Sequence, residues 1–204
     1  MDTRVPNIVV GRLPIYLRSL EHLAEQGHGI ISSHQLAALL GTSAAQIRKD
    51  LSHFGEFGKQ GTGYHIPYLI VQLKRILKAD QEWEVALVGV GDIGHALLRN
   101  RDLPRRGFRI VAAFDSDRDK VGTRFGQVTV HELEQLAQVI QGQGIQLAIV
   151  AVPPAAAQTV TDALVAAGIR GVLNYSPIAV SVPDHVRLQQ IDPVTHLQHM
   201  TYYG

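Results

Sequence analysis

The chain of 204 residues contains no cysteine. That absence excludes a disulfide, a thiolate-ligated zinc site and a cysteine nucleophile, and it takes thiols out of any response to oxidants. A reducing compartment fits this composition. No apolar run approaches the roughly 18 residues that a bilayer-spanning helix needs. The opening residues MDTRVPNIVVGRLP also lack the continuous apolar stretch of a secretory signal. The expectation is a soluble, unexported chain with no membrane partner. Charge of one sign is equally scarce, since 19 Lys and Arg against 18 Asp and Glu leave a formal net charge of +1. With 46% hydrophobic and 18% charged residues, the composition is that of a folded globular protein and argues against pervasive disorder.

The small net charge conceals an asymmetry. Residues 1–79 carry 9 Lys and Arg against 5 Asp and Glu, whereas the remainder carries 10 against 13. A polyanion-binding surface, if there is one, is therefore expected in the first third, although scatter in so small a sample gives the same figures. The length suits one small domain and one medium domain. The expected division is residues 1–80, residues 81–191 and a terminal helix over 192–204.

In the first part, Tyr16, Leu17, Leu20, Leu23 and Ala24 recur at helical spacing, which predicts a helix from Pro14 to about Gln26 with the proline in its first turn. Ser32 followed three residues later by Gln35 is a capping box that opens a second helix, ended by Gly41. Ser43 and Gln46 repeat the box and open a third helix, with Ile47, Leu51 and Phe54 on one side. Two short helices across a tight glycine-containing turn form a helix-turn-helix. Gln46, Arg48, Lys49, Ser52 and His53 stay off the apolar stripe, and they are the residue types that phosphates and base edges accept. Glycines at 55, 58, 61 and 63 then bracket a predicted β-hairpin with Lys59 and Gln60 near its tip, and a helix from Pro67 to about Lys78 closes the domain. Three helices, a hairpin and a helix make a winged helix. Ser43 and Tyr64 complete the candidate DNA contacts. The alternative is a trihelical protein-interaction module whose basic residues serve solubility.

In the second part, Val85 to Val88 is an apolar run suited to a strand buried on both faces. It leads directly into Gly89-Val90-Gly91-Asp92-Ile93-Gly94, a GxGxxG turn between strand and helix that admits a pyrophosphate close to the backbone. A second strand ends at Asp115, which lies 21 residues beyond Gly94 and is placed for ribose hydroxyls. Its negative charge, followed by Asp117, favours NAD(H) over NADP(H). Arg118 and Lys120 lie near enough to complicate that choice, and Lys120, a further cofactor candidate, could equally lie along the adenine edge. Continued alternation of strands and helices predicts a Rossmann-type doubly wound parallel sheet, so the fold class is α/β. Val152, Pro153, Asn174 and Ser176 fall at the ends of later strands and are candidates for the nicotinamide side, with turn chemistry an equal alternative. After Asp192, a capping residue, a short terminal helix must dock on its own domain or on a partner subunit. His131, His185, His196 and His199 form no recognisable catalytic constellation, and no metal is expected.

The segments RLPIYLRSL, SSHQLAALLG, AAQIRKDLSHFGEFGKQGTGY, VALVGVGDIGHAL, AAFDSD, IVAVP and NYSP resemble, in order and over nearly the whole chain, the Rex family of NADH-responsive bacterial repressors. The resemblance implies a cytoplasmic homodimer that binds a palindromic double-stranded operator and releases it when NADH displaces NAD+. It implies that the C-terminal helix is exchanged between subunits. It also assigns Arg48, Lys49, Ser52 and Lys59 to DNA, Gly89, Gly91, Gly94, Asp115 and Lys120 to the cofactor, and Arg18 and Asp192 to a contact that changes on switching. One departure stands out: Asn100 occupies the position where many members carry a nicotinamide-side tyrosine. Two rival readings are a regulator sensing another adenine nucleotide, such as coenzyme A, and a NAD-dependent dehydrogenase.

Overall fold

The structure, a computed structural model, describes residues 5–59 and 62–202. It divides into two compact units, with the boundary in the chain between Gln81 and Glu82.

In the first unit, helix α1 spans Asn7–Glu25 and buries Val9, Leu13, Tyr16, Leu17 and Leu20 along one face. Pro14 therefore lies inside the helix rather than in its first turn, which corrects the sequence expectation. The apolar stripe begins at Val9, before the proline, and continues beyond it. Its burial outweighs the one hydrogen bond that a proline nitrogen cannot donate. A two-residue strand β1 (Ile30–Ile31) follows, then α2 (Ser33–Leu40), held by the full capping box at Ser32 and ended by Gly41 in the left-handed conformation. Helix α3 is Ala44–Ser52. Strands β2 (Gly58–Lys59) and β3 (Gly63–His65) form the hairpin, and α4 runs from Ile66 to Leu77. β1 pairs antiparallel with β3 in the order β1-β3-β2, giving a small sheet of which only the hairpin was predicted. Leu13, Leu20, Leu36, Ile47, Leu69 and Leu73 are fully buried at the centre of this unit.

The second unit holds β4 (Trp83–Val88), α5 (Asp92–Leu98), a short α6 (Asp102–Arg105), β5 (Phe108–Asp115), β6 (Arg124–Phe125) and β7 (Val128–Glu132). It continues with α7 (Leu136–Gln143), β8 (Leu147–Val150), α8 (Pro154–Ala166), β9 (Gly171–Asn174), β10 (Arg187–Gln190) and α9 (Pro193–Thr201). The sheet order is β10-β9-β8-β4-β5-β7-β6, parallel throughout except for the unpredicted edge strand β6. Apart from that edge it is the doubly wound order in which two βαβ halves diverge from neighbouring central strands, here β4 and β8. Ligands bind such sheets in the crevice beyond the carboxyl ends of those strands. Gly89 and Ala151 stand at that place, their N–H groups bonded to Phe114 O and Val88 O at 2.8 Å each.

Candidate functional site

In the first unit, α3 projects its polar residues from a buried apolar side. Ile47 and Leu51 are buried, whereas Arg48, Lys49, Ser52 and His53 are exposed. Ser43 caps the helix by accepting from Gln46 N at 3.1 Å. Only this half of the predicted capping box forms, because the Gln46 side chain turns the other way and donates through Nε2 to Asp50 Oδ1 at 2.6 Å. A charged, buried acceptor offers the amide a stronger bond than an exposed backbone N–H would provide. Arg48 donates to Ser33 Oγ at 2.9 Å. Together α2, α3 and the hairpin enclose an open groove of about 980 Å³ lined by Ser33, Arg48, Ser52, Phe57 and Tyr64 among others. Tyr64 lines it with a largely buried ring packed so closely on Gly58 that a Cβ there would lie 2.8 Å from Cδ1. Lys59 ends β2, but its side chain and the whole of Gln60 lie outside the described residues.

Sequence reasoning missed Asp50. Its carboxylate is fully buried and takes four hydrogen bonds: from Arg12 Nε and Nη2 at 2.6 and 2.7 Å, from Tyr16 OH at 2.5 Å and from Gln46 Nε2 at 2.6 Å. Burial pushes its pKa up, but the hydrogen bonds from Arg12, Tyr16 and Gln46 prevail and hold it below the usual carboxylate value. Burial, reinforced by the Asp50 contact, carries the Tyr16 phenol up to about 12. The available signal was an acid between Ile47 and Leu51 on the apolar side of α3, with Arg12 and Tyr16 four residues apart on α1.

In the second unit the glycine turn follows β4. Gly89 takes φ +96°, and any side chain there would collide with the Ala151 carbonyl oxygen. A Cβ on Gly94 would collide with Gly89 O, so α5 lies directly against the turn. Gly91 differs, since it is exposed and nothing lies within 4 Å of where its Cβ would sit. Asp92 and Ile93 are exposed beside it. Asp115 is 8% exposed, with Oδ2 accepting from Val90 N at 2.7 Å and Oδ1 from Asp117 N at 2.9 Å. Lys120 Nζ is 3.3 Å from Oδ2. Burial raises the Asp115 pKa, yet the backbone N–H groups of Asp117 and Val90, together with Lys120, leave it lowered. The residue expected at the ribose is therefore also a strut between the end of β5 and the glycine turn.

Val152 is half-buried against Gly89, and Pro153 is exposed at the start of α8. Asn174 is fully buried and spends its amide internally, donating to Ile178 O and Gln190 Oε1 and accepting from Ser176 N. Ser176 Oγ is buried with no hydrogen-bond partner among the described residues. Space above Gly91, a carboxylate at the end of β5 and an unpartnered hydroxyl at the end of β9 fit a dinucleotide laid across the crevice.

The family model described as "Putative DNA-binding protein N-terminus" matches residues 4–52, and that of the "CoA binding domain" matches residues 80–178. The chain is 48% identical to the redox-sensing transcriptional repressor Rex of Roseiflexus sp., over 97% of this chain and 90% of that one. It is 47% identical to the protein of the same name in Chloroflexus aurantiacus, over 97% and 93%. The chain belongs to the Rex family. Among solved structures, RSP in complex with β-NAD+ and operator DNA matches with a TM-score of 0.93 at 34% identity, covering 98% of this chain and 93% of that one. RSP in complex with β-NADH matches with a TM-score of 0.90 at 32% identity, covering 98% and 94%.

Asn100 and Asp192 each stand at the start of a short helix. Asn100 is exposed and its Oδ1 accepts from Asp102 N and Leu103 N at 2.8 and 3.1 Å, the first two N–H groups of α6, whose N-cap is Arg101. Asp192 caps α9 by accepting from Val194 N at 3.0 Å, yet α9 buries none of its residues. Val194, Leu197 and Met200 are 55%, 60% and 66% exposed. Arg18 is exposed on α1. Among the described residues no helix is long and apolar enough to cross a membrane, and no group of three or more His, Asp or Glu could hold a metal.

Proposed function

We propose that this chain is a transcriptional repressor that binds a palindromic operator and releases it when NADH occupies the Rossmann unit. The full-length likeness to RSP, solved with both a dinucleotide and operator DNA, carries this reading. Its action is regulatory rather than enzymatic, and its place is the cytoplasm. Arg48, Lys49, Ser52, His53 and Lys59 meet the duplex, with Ser43 at the helix start and Tyr64 and Gln60 contributing from the hairpin. Gly91 gives the pyrophosphate room, Asp115 accepts from the ribose with Lys120 beside it, and Ser176 turns its free hydroxyl to the nicotinamide side near Val152 and Pro153.

Reduction of the cofactor removes the positive charge of the nicotinamide ring. A pocket that offers little solvation to a cation then favours NADH, and the two forms stabilise different arrangements of the protein. Two copies act together, the apolar face of α9 docking on the partner subunit and Arg18 and Asp192 meeting in a contact that changes on switching. A ligand shifts such an equilibrium only by its differential affinity for the two states.

The test is an operator gel shift with NADH, NAD+ and coenzyme A added separately. Release by NADH at concentrations where NAD+ leaves the complex intact is the expected result. Equal release by both dinucleotides would end the sensor reading, and release by coenzyme A alone would move the ligand to the one named by the family model over residues 80–178.

A further inference from the structure

We propose that Asp50 is a positioning residue for operator recognition, fixing through Arg12, Tyr16 and Gln46 the attitude in which α3 presents Arg48 and Lys49. The proposal rests on the operator-binding reading.

Each carboxylate oxygen of Asp50 takes two donors, so its acceptor sites are filled. Three of the four bonds come from α1, which lies 34 to 38 residues away in sequence. An apolar side chain could close the same core while letting α3 slide or rotate by a fraction of an ångström. A forked guanidinium on a carboxylate tolerates no such movement, because its two parallel bonds fix both distance and plane. Buried ion pairs contribute little stability relative to well-packed apolar residues, and their best-attested use is to select one arrangement. Asp50 directly follows Lys49 and stands two residues after Arg48, so a shift at this point passes straight to both basic side chains. Gln46, whose amide is spent on Asp50, belongs with this clamp rather than with the base readers.

Positioning and bulk stability move different observables. A chain that is merely less folded loses affinity for every duplex in equal proportion. A chain whose recognition helix is misplaced keeps its phosphate contacts and loses discrimination.

The experiment titrates the full-length chain with two duplexes of equal length at several salt concentrations. One is a palindromic sequence that the unaltered chain selects from a random pool, and the other is its scrambled counterpart. For Tyr16→Phe and Asp50→Asn, the ratio of operator to scrambled affinity is expected to fall on the order of tenfold, the size of one misplaced base contact. The salt dependence on scrambled DNA and the NADH affinity stay unchanged. Gln46→Ala is expected to weaken all operator positions evenly. A ratio that survives in Tyr16→Phe overturns the proposal, as does a Gln46→Ala variant that relaxes preference at a single base pair. Should Asp50→Asn not fold, Tyr16→Phe carries the test, since it removes one bond and leaves the ion pair. An unaltered chain that shows no preference for any duplex overturns the repressor reading and this proposal with it.

Discussion

Arg48 on α3 donates through Nη1 to Ser33 Oγ, 2.9 Å away on the first residue of α2. The exposed guanidinium is thereby held across the helix-turn-helix before any duplex arrives. Replacing Arg48 with Ala is expected to cost about 1–3 kcal/mol of operator binding, the worth of a bidentate contact to guanine, and to leave NADH binding intact. Lys49→Ala should weaken all duplexes alike and lower the salt slope by about one. Anisotropy titrations with operator and scrambled DNA separate the two. Unchanged operator affinity in Arg48→Ala would place recognition elsewhere.

Gly91 and Gly94 are expected to fail differently. Gly91 sits at φ −89° with open space at its Cβ position, so Gly91→Ala should change stability by less than about 0.5 kcal/mol. The added methyl occupies the approach of the pyrophosphate, and NADH affinity should drop on the order of tenfold or more. Gly94→Ala drives a methyl into Gly89 O and should destabilise the fold by roughly 1–3 kcal/mol. Urea midpoints and NADH titrations of both variants check the contrast.

Asp115 predicts an acid limb of stability. Its folded pKa lies below the unfolded value of about 3.9, so the stabilising contribution is complete well above that pH. It is lost as pH falls through the unfolded value towards the folded one. Asp115→Asn should flatten this limb in urea midpoints measured against pH, and should weaken NADH on the order of tenfold, since a charged acceptor is removed from both turn and ribose. An acid limb of the same slope in the variant would assign it to another carboxylate.

The proposed docking of α9 on a second copy predicts that its exposed face is needed for association. Burying Leu197 and Met200 on a partner is worth roughly 1.5–3 kcal/mol each. Leu197→Glu together with Met200→Glu should raise the dimer dissociation constant at least about a hundredfold. Sedimentation equilibrium of the unaltered chain and the double variant measures this, and equal association of the two would overturn the proposed docking of α9.

What could be read beforehand was whatever local chemistry determines alone. The Ser32–Gln35 box, the left-handed Gly41 and the strand–glycine–helix order around Gly89 each depend on a few neighbouring residues, and each is where the pattern puts it. What escaped depends on distant partners. Pro14 reads as a helix start only while Val9 is not known to lie on the buried face. Gln46 reads as the second half of a capping box until a buried acid from its own helix competes for its side chain. Asp50 interrupts an apolar stripe, and no periodicity says that Arg12 and Tyr16 will meet it. β1 and β6 are two residues each, too short to leave a pattern. At the carboxyl ends of the strands, the glycine turn and the place of Asp115 at the end of β5 were legible, but the closed bonding of Asn174 and the solitary hydroxyl of Ser176 follow from how later strand ends pack.

On the proposed reading, the carboxylate that braces the glycine turn is also the one that meets the sugar, which ties cofactor choice and local rigidity to a single side chain. Neutralising that position to welcome a 2′-phosphate would slacken the very loop on which the phosphorylated coenzyme must rest. On that reading a dinucleotide with a 2′-phosphate is disfavoured, and admitting it would demand several simultaneous changes rather than one.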